Sequence, residues 1–219
     1  MATDEESAAA ARMAGGVAKH IARAAARLFA SDGYEATSVR TIVEAAGVTK
    51  PTLYYHYRSK EGLAKALVTD PLTGLAEALR ACLAATDDPT AGLVAQVDEH
   101  FRFMRDDPDR GRFFYAMAFG PHGHESGLAA MMMGLGRQID EAMLAGVDRL
   151  VRAGLVEEGR AGRFATALHG VIVVHTLDFL CEKSGCRPPV GEADGAGLAR
   201  TIVGDLLRGF GAGPRDAAT

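Results

Sequence analysis

Residues 37–60 read TSVRTIVEAAGVTKPTLYYHYRSK, and this stretch decides the fold. Val39, Ile42, Val43 and Ala46 recur at helical spacing and give a short helix one apolar face. Thr37 or Ser38 is placed to cap it, since a hydroxyl there accepts from the free amides of the first turn. Gly47 follows the last periodic residue, where a left-handed position ends a helix at no side-chain cost. Thr49 caps a second helix, and Pro51 falls in its first turn, where a missing amide hydrogen leaves no bond unmade. Leu53 and Tyr57, four apart, anchor that helix inward. Lys50, Thr52, Tyr54, Tyr55 and His56 are left for its N-terminal end and outer side. Ser59 caps the next helix, although Gly62 at its third position leaves the capping box incomplete. Helix, glycine turn, helix and basic exit are the layout of a helix-turn-helix reader of DNA.

From about Ile21 to Leu67 the chain resembles the N-terminal DNA-binding domain of the TetR (tetracycline-repressor-like) family. The matching residues are Ala25, Leu28 and Phe29, then Gly33-Tyr34, Thr37, Ile42, Ala46-Gly47-Val48-Thr49, Leu53-Tyr54-Tyr55-His56-Tyr57 and Lys60-Glu61-Gly62-Leu63. The match is dense and ordered, and it covers less than a quarter of the chain. Groove chemistry and the resemblance together assign roles. Lys50 and Thr52 stand where a recognition helix meets base edges; lysine donates to guanine and the threonine methyl suits thymine. Arg40 matches a family position that reaches a base. Tyr54, Tyr55, His56 and Lys60 look like phosphate contacts, which fix register and carry no sequence information. Thr37, Ser38 and Thr49 present helix-start amides to phosphates. Tyr57 is read as core.

The charge is arranged to agree. Residues 12–68 hold nine Lys/Arg against four Asp/Glu, whereas residues 69–219 hold fifteen against twenty-one. A basic head on an acidic body orients toward phosphates. Elsewhere Ala, Leu, Arg and Glu dominate and β-branched runs are short, so the expected fold is all-α. The expected organisation is a solvated tail over 1–13, a three-helix DNA-binding domain over 14–68, and a helical ligand-binding and dimerisation domain over 69–219. A connecting helix over 60–69 should break or kink at Asp70-Pro71, because the residue before proline avoids the helical region. Further helices are expected over 72–86, 91–106, from Pro108 to near Gly120, and over 128–153, 163–184 and 197–210. Three cysteines, Cys82, Cys181 and Cys186, make no disulfide framework. Asp4, Glu5 and Glu6 do not make the basic start of a signal peptide, and no uninterrupted apolar run of about eighteen residues appears. The expected compartment is a reducing cytoplasm.

The second domain is rich in Met and Phe. Flexible methionines and aromatic rings suit a pocket for a small apolar or aromatic effector. Phe101, Met104, Phe114, Met117, Met132, His175 and Phe179 are the candidates, although most large apolar residues in any chain are ordinary core. By resemblance the last two helices pair with those of a second copy through Leu168, Ile172, Ile202, Leu206 and Phe210. The operator is then an imperfect palindrome. The resemblance also implies that ligand entry moves the 60–69 helix and spreads two reading heads, most simply as a repressor. An architectural DNA-binding protein without ligand control is the alternative. His122, His124 and Glu125 carry metal-ligating chemistry but no matched partners, so no metal is expected, and no cofactor. Cys181 and Cys186 give weak grounds for a redox switch. No nucleophile elbow, phosphate-binding glycine loop, HExxH or paired-cysteine zinc pattern points to an enzyme.

Overall fold

The computed structural model describes residues 2–119, 127–182 and 195–210. Among these residues all regular structure is helical: α1 (Ala2–Ser31), α2 (Val39–Ala45), α3 (Lys50–Tyr57), α4 (Lys60–Ala84), α5 (Pro89–Asp106), α6 (Pro108–Phe119), α7 (Gly127–Arg152), a 3-10 turn (Glu158–Arg160), α8 (Ala161–Glu182) and α9 (Gly195–Phe210).

Two elements run further than the sequence suggests. Helix α1 begins at Ala2, where a tail was expected. Ala8 to Ala11 are the strongest helix formers. Helix α4 passes through Pro71 without ending. A proline inside a helix costs about 3 kcal/mol. Against this, Leu67, Val68, Leu72, Leu75 and Leu79 are all buried on either side of it. At about 1.5–3 kcal/mol for each buried side chain, their burial outweighs the proline.

The described residues fall into two compact units, Met1–Pro71 with Pro108–Met133, and Leu72–Asp107 with Gly134–Thr219. In the first, α1 packs on α2, α3 and α6. Ile21, Ala25 and Phe29 of α1, Ile42 and Val43 of α2, Leu53 of α3, Leu63 and Ala64 of α4 and Phe113 of α6 are buried there. The rings of Phe29 and Phe113 stand 5.2 Å apart, and Tyr34 meets Phe29 edge-on at 5.2 Å.

In the second unit α5 packs on α8 and α9. Its core joins Leu93, Val97 and Phe101 to Val147 and Leu150, to Phe164, Leu168 and Ile172, and to Ala199, Ile202 and Val203. Asp88 caps α5, accepting from the amides of Thr90 at 2.8 Å and Ala91 at 3.1 Å. Gln96, fully buried, ties three helices together: its Nε2 donates to the carbonyls of Leu79 at 3.1 Å and Ala142 at 2.7 Å. Gly146 makes room for this amide. A Cβ there would stand 2.2 Å from Gln96 Oε1.

Candidate nucleic-acid interface

The caps that set the reader are resolved. Ser38, not Thr37, is the N-cap of α2, and its Oγ accepts from the amide of Thr41 at 3.1 Å. Thr37 is buried at 2% exposure, and its hydroxyl donates to the carbonyls of Gly33 at 2.8 Å and Leu28 at 3.3 Å. Its hydroxyl therefore closes the C-terminal end of α1 and leaves the side-chain cap of α2 to Ser38. Gly47 takes φ 58 between the two helices, a conformation costly for any side chain with a Cβ. Thr49 caps α3, accepting from the amide of Thr52 at 3.4 Å, and the two hydroxyls share a hydrogen bond of 2.9 Å.

Helix α3 is held on one side and open on the other. Leu53 is buried, and Tyr57 Oη donates to the carbonyl of Ala18 at 2.7 Å, which fastens the end of α3 to α1. Burial raises the Tyr57 phenol above its ordinary pKa. Tyr57 is thus the anchor that its spacing predicts. On the open side Tyr55 is 80% exposed and Tyr54 nearly half exposed. His56 is half-buried beside the Tyr55 ring, 5.0 Å away and edge-on. Lys50 and Thr49 are exposed at the capped end, and Thr52 is half-buried there. Arg58 ends the helix at φ 62, its amide donating to the carbonyl of Tyr54 at 2.9 Å.

Arg40 projects from α2, exposed, with its Nε donating to Glu44 at 2.7 Å. That hydrogen bond, and then the carboxylate charge, raise the guanidinium pKa. An exposed pair of this kind is worth little, so Glu44 is no obstacle to a stronger acceptor. Lys60 is different. Its Nζ donates to the carbonyls of Tyr34 at 2.9 Å, Thr37 at 3.2 Å and Glu35 at 3.4 Å, and it lies 4.3 Å from the centre of the Tyr34 ring. Sequence reading gave Tyr34 no role here. The interleaved aromatic residue next to Gly33 was the available signal.

The other expected sites divide less neatly. Phe114, Met117 and Met132 lie in the first unit, while Phe101, Met104, His175 and Phe179 lie in the second. Phe101 meets the His175 ring edge-on at 6.2 Å, and Phe101, Met104 and Phe114 are buried. Leu168, Ile172 and Ile202, expected to meet a second copy, are instead turned into the core of their own chain, with Leu206 packed against it. The reason is α5, which takes the apolar stripes of both last helices. Phe210 is the final residue of α9. Helix α8 is apolar beyond what that core uses. The stretch Glu158–Cys181 is long and apolar enough to cross a membrane by length and composition alone, yet little of it is buried, and Val174 is 44% exposed. No metal-holding cluster of His, Cys, Asp and Glu occurs among the described residues. His122, His124, Glu125 and Cys186 lie outside them.

Two short helices at a glycine corner, the second open along its N-terminal face, define a helix-turn-helix protein. Residues 21–67 match the family model described as bacterial regulatory proteins, tetR family. Over those residues the chain is similar to the DNA-binding domain of the TetR family. The transcriptional activator FasR of Mycolicibacterium smegmatis is 34% identical over 92 residues, 42% of each chain. The repressor ComR of Escherichia coli is 50% identical over 44 residues, 20% of this chain and 21% of its own. The chain thus matches less than half the length of these curated relatives. Among solved structures, the TetR family regulator PfmR of Thermus thermophilus superposes with a TM-score of 0.63 at 27% identity, over 86% of this chain and 97% of its own. The ketosteroid regulator KstR2 of Mycobacterium tuberculosis shares the fold, with a TM-score of 0.66 at 17% identity over 90% and 95%.

Proposed function

We propose that this protein is a transcriptional regulator that binds a palindromic DNA operator as a homodimer and is released from it by a small apolar or aromatic molecule, acting as a repressor. One observation carries the reading. Helix α3 is fixed inward by Leu53 and Tyr57 while its capped end, with Lys50 and Thr52, and its Tyr54–Tyr55 side stay open. A helix reads the major groove with its N-terminal residues, and this arrangement leaves those residues available. Lys50 and Arg40 then take base edges, with Thr52 against a thymine methyl. Tyr54, Tyr55, His56 and the start of α2 and α3 at Ser38 and Thr49 take phosphates.

A single reader on a short half-site discriminates too weakly, which argues for two copies. The apolar surface of α8 around Val174, left uncovered by the chain's own core, supports a second copy there. The effector is assigned to the Met- and Phe-rich helices after Pro71, and it must prefer the released state, since equal affinity for both would shift nothing. A DNA target places the protein in the cytoplasm. Relatives include both an activator and repressors by name, so the sign of control is tested with a promoter carrying the operator.

Selection from a random duplex library by the purified chain tests the reading. Recovery of a two-fold symmetric sequence is expected. Sequence-blind binding that vanishes as salt rises would refute regulation and leave architectural binding.

A further inference from the structure

Lys60 is the first residue of α4, yet its ammonium reaches back to the loop between α1 and α2. An ammonium has three N–H donors. Here three carbonyls, of Tyr34, Glu35 and Thr37, converge on it, and the Tyr34 ring lies along its flank. The loop so gathered carries Thr37, which closes α1, and Ser38, which opens α2. Helix α2 in turn packs against α3. Moving Lys60 to a phosphate would strip three carbonyls, those of Tyr34 and Thr37 part-buried, of their shared donor at once, and bonds to a charged donor are the stronger kind.

We infer that Lys60 is a positioning residue: it pins the α1–α2 loop, and through it both reading helices, in the arrangement that meets DNA, and it does not contact phosphate. The inference rests on the proposal that α2 and α3 read DNA. A compact ammonium suits a cage of three carbonyls, whereas a planar guanidinium on a longer stem does not, although it serves a phosphate at least as well.

The test measures affinity of full-length wild type, Lys60→Met and Lys60→Arg for the duplex recovered by selection, across a salt series, below each variant's melting temperature. Lys60→Met should lose roughly tenfold or more in affinity while the slope of log affinity on log salt stays that of wild type. Lys60→Arg should fail to restore binding. A phosphate contact would instead lower the Lys60→Met slope by about 0.9 and leave Lys60→Arg near wild type. Either of those results, or unchanged affinity in a folded Lys60→Met protein, overturns the inference. If Lys60→Met does not fold, Lys60→Arg decides. Wild type that prefers no sequence would sink the DNA-reading proposal and this inference together, whereas a lowered slope in Lys60→Met sinks this one alone.

Discussion

Gly146→Ala should destabilise the second unit, and the size of the effect follows from one side chain. An ideal Cβ at position 146 would lie 2.2 Å from Gln96 Oε1 and 3.0 Å from Leu93 Cδ1. Ordinary contact needs roughly 3.5 Å, so the amide must retreat by about 1 Å or more. It cannot do so while Nε2 keeps both the Leu79 and the Ala142 carbonyl. Losing two neutral hydrogen bonds costs about 2 kcal/mol, and a buried amide left short of partners adds about 1–3 kcal/mol. Alanine returns up to about 1 kcal/mol through its better helix propensity. The net loss is about 2–4 kcal/mol, which for a chain of this length lowers Tm by roughly 4–16 °C. Urea unfolding should show the midpoint falling at constant m-value. Gln96→Leu shortens the obstructing side chain, so adding Gly146→Ala in that background should be close to neutral, a coupling of about 2 kcal/mol. Strict additivity of the two changes, or a Gly146→Ala protein as stable as wild type, would show that Gln96 is not what Gly146 accommodates.

Three further outcomes are expected. Burial, with the neighbouring His169 adding to it, lowers the His100 pKa from 6.5 to about 4, and its buried Nε2 makes no hydrogen bond. Between those values the unfolded chain binds a proton that the folded chain refuses, so this contribution is whole above about pH 6.5 and is lost as pH falls toward 4. At pH 5 the loss is on the order of 2 kcal/mol, and His100→Leu should reduce the pH dependence of the urea midpoint by that much; an unchanged dependence refutes the assignment. Arg58→Gly relieves a positive φ and should raise Tm by about 2–4 °C; a lower Tm would mean that the arginine side chain makes a contact worth more than the strain. Arg40→Ala and Lys50→Ala should change the sequence recovered by selection, at about 1–3 kcal/mol per misread base, while Tyr55→Phe weakens all duplexes alike; a Lys50→Ala protein with unaltered affinity and preference would remove Lys50 from the base-reading set.

Local chemistry made the reader legible in the sequence. Ser38, Gly47, Thr49 and Pro51 act within a few residues of themselves, and the structure uses each at its expected place. What the sequence hid depends on partners far along the chain. Lys60 is separated from Tyr34 by twenty-six residues, and no periodicity ties an ammonium to those carbonyls. Thr37 and Ser38 are adjacent hydroxyls with equal claim to a cap, and only the turn of the loop sends one inward. The stripes of α8 and α9 were visible, but an apolar stripe does not say whether α5 or a second copy will cover it. Pro71 reads locally as a break or a kink, and only burial on both sides of it carries the helix through. The candidate effector residues were chosen by composition, which carries no information on which unit each one joins.

Phe29 and Phe113 set a rule for anyone recombining this protein with its relatives. The stretch recognisable as a reading head ends near Leu67, which invites a splice at Pro71. Yet α6, some forty residues later, closes over α1, and the two rings are fully buried against each other. A fragment cut at Pro71 would bare Phe29 to water, and a chimera joined there would offer it a foreign α6. A transplantable head therefore consists of two separate pieces of chain, Met1–Pro71 and Pro108–Met133, exchanged as one cassette.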